Sequence, residues 1–133
     1  MFNATHRGVE SYLRTRVESS TPEELIVMLF DGALRFTREA RDAAERRDVP
    51  ARAAAVSRAL AIIAELQGSL DFDRGGPIAA SLEELYAFVS RRLIDGSVGQ
   101  KTEAFDDVLR VLTPLRDGWT TLASHPTTLA SGQ

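Results

Sequence analysis

The residues that could carry chemistry in this chain are few, and none of them converge. The two histidines, His6 and His125, stand near opposite ends of the sequence. Neither lies four residues from another histidine or in a Glu-x-x-His pair, so the ligand spacing of a metal site is missing. There is no cysteine, which removes disulfides, thiolate ligands and thiol nucleophiles together and fits a reducing cytosol. No serine sits in the strand-turn-helix setting that exposes a nucleophile. Gly75-Gly76 could cradle a phosphate, but no strand precedes it and no Lys-Ser or Lys-Thr follows, so it reads as a turn. The arginines from Arg35 to Arg58 are interleaved with Glu39, Asp42, Glu45 and Asp48, which describes a solvated face rather than a basic strip. A net charge of −3 also argues against nucleic acid as a partner. No metal, cofactor or enzymatic activity is expected.

What the sequence has in excess is apolar surface, and its chemistry is recognition. The elements show where the excess lies. With 133 residues, 44% hydrophobic and 26% charged, the chain is the size of one domain and can bury a core. Nothing reaches the length of a membrane-spanning helix. Ser20 to Phe36 opens with a helix start: Thr21 as cap, Pro22 at the first position, and Glu24 completing a capping box. This first helix is expected to run to about Arg47, where Asp48-Val49-Pro50 interrupts it. On a helical wheel Leu25, Leu29, Gly32 and Phe36 fall opposite the charged stripe, at core spacing. Val27, Phe30 and Leu34 form a second, displaced apolar stripe.

A second helix is expected from Pro50 or Ala51 to about Ser69, with Val56, Ala59, Ile63, Leu66 and Leu70 as its seam and Ile62 off it. The third spans about Ile78 to Ile94, with Ile78, Leu82, Leu85, Val89 and Leu93 inward and Phe88 outside that arc. Asp95-Gly96-Ser97 is read as its end, followed by a polar loop to Lys101. The fourth spans about Glu103 to Trp119, on a seam of Phe105, Val108, Leu112, Leu115 and Trp119, with Val111 left over. Pro114 interrupts that pattern, so a kink or an early end is expected there.

Four helical segments with short connections and no strand pattern give an all-α fold, an antiparallel up-down-up-down four-helix bundle. Residues 1–20 form an N-terminal arm, 21–122 the bundle, and 123–133 a tail without periodicity that is expected to be disordered. Within the arm, Val9, Tyr12, Leu13 and Val17 allow a short helix from about Val9 to Arg16, with Tyr12 as its anchor.

Four runs in order resemble the flagellar secretion chaperones of the FliS family. They are Ser20-Thr-Pro-Glu-Glu-Leu-Ile-Val-Met-Leu-Phe-Asp-Gly-Ala-Leu-Arg-Phe36, Ile62-Ile-Ala-Glu-Leu-Gln-Gly-Ser-Leu-Asp-Phe-Asp-Arg-Gly-Gly76, Leu82-Glu-Glu-Leu-Tyr-Ala-Phe-Val-Ser-Arg-Arg-Leu93 and Leu115-Arg-Asp-Gly-Trp119. The resemblance covers about Tyr12 to Trp119. It implies a cytosolic, non-enzymatic chaperone whose partner is the C-terminal segment of flagellin, disordered until it folds onto the chaperone. Binding would prevent premature polymerisation and present flagellin to the export gate of the flagellar type III secretion apparatus. The arm tyrosine, matched by Tyr12, would cover the groove until flagellin displaces it. On this reading the track comprises Val27, Phe30, Leu34, Ile62, Phe88 and Val111, with Tyr12 as lid. Phe30 departs from the family, which often has tyrosine there. Pro114 and Gly118 fall in a helix that is usually continuous, and the Asp95–Lys101 loop is richer in glycine than the family's.

Two readings from other classes stand beside this one. A bundle that homodimerises through the same apolar excess would need no flagellin. An all-helical enzyme would need convergent polar residues, which the sequence lacks.

Overall fold

The computed structural model describes residues 14, 15 and 17–124, and four long helices account for most of them. They are α1 (Pro22–Arg46), α2 (Val49–Gly68), α3 (Phe72–Gly99) and α4 (Thr102–Ser124). α1 packs along α2 and α4, α3 also packs along α2 and α4, and α1 and α3 barely touch across the diagonal. Among the described residues there is no strand, and no helix is long and apolar enough to cross a membrane.

α1 begins as the sequence dictates. The Thr21 hydroxyl accepts from the Glu24 amide at 3.1 Å, and the Glu24 carboxylate accepts from the Thr21 amide at 3.0 Å. It ends at Arg47 in the left-handed region (φ 59°), whose amide bonds back to Ala43 and Ala44. Asp48 then caps α2 through the Ala51 amide.

The core inverts the expected use of α1. Phe30, Ala33, Leu34, Thr37, Ala40, Ala43 and Ala44 form its buried stripe. Leu25, Leu29, Gly32 and Phe36, expected inward, are only half-buried. Phe30 and Leu34 were expected to be surplus and lie instead in the core, at 0% and 4% exposure. The reason is that α1 touches two neighbours: the flank toward α2 takes up the Leu29 and Phe36 stripe at an angle, and the bundle axis takes Phe30 and Leu34. A wheel shows two apolar stripes without showing which one meets the axis.

α3 is longer than expected at both ends. It starts at Phe72, capped by Asp71 through the Arg74 amide, and breaks at Gly76 (φ 46°, ψ −123°) before resuming at Pro77. Only glycine adopts that backbone without strain. At the other end, Asp95-Gly96-Ser97 does not terminate the helix. Gly96 is buried in it because the Phe105 ring lies where a side chain would go, with an added Cβ only 2.6 Å from the ring. Gln100, in the left-handed region at φ 54°, closes α3 instead, and the polar loop reduces to Gln100-Lys101. α4 likewise passes through Pro114 and reaches Ser124, so the early end is corrected. Pro114 is exposed, while Leu112 before it is buried and Leu115 and Trp119 after it pack on the core. The apolar contacts on both sides outweigh one lost backbone bond.

Three ion pairs tie the helices together. Arg41 Nε donates to Asp106 Oδ1 at 2.6 Å and Arg116 Nε to Asp31 Oδ1 at 2.7 Å, both joining α1 to α4. Arg92 grips Asp107 Oδ2 through Nε and Nη2 at 3.0 and 2.8 Å, joining α3 to α4. The hydrogen bonds they donate to these carboxylates raise the pKa of all three guanidinium groups further above the ordinary arginine value.

Candidate functional site

One end of the bundle does not close. α1 starts there, α2 turns into α3, and α4 finishes, leaving a largely apolar groove of about 840 Å³. Three local features of the sequence build it. The capping box fixes the first turn of α1, so Leu25 and Ile26 face the groove from one side. The break at Gly76 turns the single helical turn Phe72–Gly75 away from the axis of α3, and this turn with Leu70 makes a second wall. The passage of α4 through Pro114 carries Trp119 and Leu122 to the third side.

The floor comes from α3. Ile78 is 72% exposed, Leu82 is half-buried, and Tyr86 is 2% exposed at the bottom. The Tyr86 ring lies against Phe30 with centroids 6.4 Å apart and planes tilted by 49°. Burial pushes its phenol up to about 12, so it stays a neutral O–H across physiological pH. Charge is confined to the rim, at Glu23, Asp71 and Arg74. No cluster of acidic, histidine or cysteine residues that could hold a metal occurs among the described residues. The chemistry available is burial of apolar side chains.

The residues expected to bind a partner fall elsewhere. Tyr12 lies outside the described residues. Phe30 and Leu34 are core. Ile62 sits at the α1–α2 contact, where an added Cβ on Gly32 would come within 2.9 Å of its Cδ1. Val27 is half-buried on α1 and does not line the groove. Phe88 and Val111 do share an edge. Phe88 is one turn before Arg92, Val111 one turn after Asp107, and the Arg92–Asp107 bonds fix that edge of α3 against α4. Both are partly buried against the core.

Sequence reasoning missed the groove residues by assigning them to helix seams. Ile78, Leu82 and Trp119 have core spacing, and spacing does not reveal where along its length a bundle is left open. The one available signal was Gly75-Gly76-Pro77, which marks a change of direction beside these residues.

Residues 5–126 match the family described as Flagellar protein FliS. The flagellar secretion chaperone FliS of Salmonella typhimurium is 37% identical over 120 residues, covering 86% of this chain and 89% of that protein. The flagellar secretion chaperone FliSB of Pseudomonas aeruginosa is 32% identical over 107 residues, covering 80% and 85%. The flagellar secretion chaperone FliS of Bacillus subtilis is 32% identical over 109 residues, covering 82% and 80%. These relatives are chaperones and not enzymes, in keeping with the lack of convergent polar groups. A four-helix bundle open at one end, matched over nearly all its length by proteins of this kind, belongs to the FliS family of flagellar proteins.

Proposed function

We propose that this chain is a cytosolic flagellar secretion chaperone that binds the C-terminal segment of flagellin, holds it from premature polymerisation and helps deliver it to the export gate. The observation that supports this reading best is the groove. A volume of about 840 Å³ walled by apolar side chains from three helices suits the apolar face of an amphipathic helix. Ile78, the most exposed large apolar residue lining it, gains most from being covered. The edge carrying Phe88 and Val111 extends the track along α3. Ten residues separate Ile78 from Phe88, about 15 Å of helix. A flagellin segment that folds as it docks incurs an ordering cost, and a long track offsets it.

Calorimetry with a flagellin C-terminal peptide tests this. Ile78→Asp and Leu122→Asp change exposed positions and should leave the helical circular dichroism intact. Each should weaken binding at least about tenfold, or about 1.4 kcal/mol. Phe30→Asp is the contrasting control: a carboxylate in a fully buried site should prevent folding. Wild-type affinity in both groove variants would remove the groove as the binding site.

A further inference from the structure

The other end of the bundle holds an unusual residue. Arg52 lies on the inward stripe of α2, in line with Val56, Ala59, Ile63 and Leu66, and is only 6% exposed. Its Nε and Nη1 are sealed from solvent and have no hydrogen-bond partner. Thr37, also buried and polar, is by contrast satisfied by the Ala33 carbonyl at 2.7 Å.

The surroundings explain both the space and the missing partner. Gly32 meets Ile62, so ten residues along this antiparallel pair Arg52 stands level with Asp42 and Ala43. The Arg41–Asp106 and Arg92–Asp107 pairs bring Ala104 and Gly96 to the same level. Ala43, Ala44, Gly96 and Ala104 are all buried at this level; the Phe105 ring fills the space beside Gly96, and Arg52 is the long polar side chain of the layer. Helical side chains lean toward the start of their own helix, which directs Arg52 to the end where α1 closes and α4 begins.

Several acceptors at that end already hold other donors. The Ala43 and Ala44 carbonyls take the Arg47 and Asp48 amides. The Asp48 carboxylate takes the Ala51 amide. Glu45 and Asp106 hold Arg41, while Asp95 and Asp107 hold Arg92. Arg46, Arg47 and Lys101 add exposed positive charge nearby. A buried guanidinium left without an anion is costly, and an oxyanion from outside the chain removes that cost.

We propose that the Arg52 end of the bundle is an oxyanion site, taking a carboxylate or a phosphate group on the guanidinium whose Nε and Nη1 lack a partner. The approach is from the bundle end, where helix termini open most readily. The site is separate from the groove and stands whether or not flagellin binds there.

Thermal unfolding of the full chain tests it, comparing phosphate with chloride at matched ionic strength. The expected result is a saturable rise of Tm in phosphate for the wild type and none in Arg52→Met, which keeps the volume and is expected to fold. Arg52→Lys, charged but without the fork, should respond more weakly than the wild type. An acetate arm separates the sources. A rise in acetate assigns a carboxylate of the kind a docking chain carries, and a rise in phosphate alone assigns a phosphate; either supports the site. No anion-specific rise in the wild type, or an equal rise in Arg52→Met or Arg52→Lys, overturns it.

Discussion

Tyr86 ties the core to the groove through one side chain. Its ring is core, set against Phe30, and the same residue lines the groove. Deprotonation is resisted in the folded chain, where the phenol titrates at about 12 rather than near 10. A group whose folded pKa is raised contributes stability that is complete below its unfolded value and lost as pH climbs through the folded one. The window here is therefore about pH 10 to 12, and the contribution about 2–3 kcal/mol. Urea midpoints measured from pH 9 to 11.5 should fall with pH in the wild type and fall less steeply in Tyr86→Phe. Equal slopes would mean that another group controls the alkaline loss. In the structure Tyr86 shares the buried face of α3 with Val89 and Leu93. The groove role was not legible, because it depends on what is absent above the ring.

At the scale of the element, the starts of α1, α2 and α4 were readable to within a residue or two, while the start of α3 and the stops of α3 and α4 were not. Thr21, Asp48 and Asp71 each cap a helix through a short local hydrogen bond; Thr21 was read as a cap, whereas Asp48 and Asp71 were read as parts of connections. Gly96 and Pro114 are residues that usually end helices, and here each lies inside one. Their tolerance comes from other helices, namely the Phe105 ring that fills the space beside Gly96 and the apolar contacts flanking Pro114, which no window of sequence contains. The cost at Pro114 should still be measurable. The proline is exposed, and Pro114→Ala would restore the bond to the Arg110 carbonyl without opening a cavity. A gain of about 1–3 kcal/mol in urea unfolding is expected. No gain would show that α4 has already absorbed the proline by bending.

At the scale of the whole molecule, the two ends of the bundle are built to opposite rules. One is open and apolar, walled by Ile78, Trp119 and Leu122; the other is closed, with small residues and the Phe105 ring packed beside a buried cation. The class and order of the four helices were legible because each carries a seam with period near 3.6 and the connections between them are short. The asymmetry was not legible, since Arg52 in an alanine-rich stretch resembles any solvated arginine until its neighbours are known. Phe30 and Leu34 show the same limit: apolar residues in excess of one seam belonged to a second neighbour before they belonged to a partner.

The break at Gly76 has a dynamic consequence. The turn Phe72–Gly75 is held by its own short bonds, Gly75 amide to Asp71 carbonyl at 2.7 Å and Arg74 amide to the Asp71 carboxylate. Because the chain changes direction at Gly76, this turn can open without unravelling the helix that follows. Amide hydrogen exchange should show it as a separate, faster unit than Ala79 to Leu93. An occupant seated in the groove would then slow exchange first in a wall of the site that has little protection of its own.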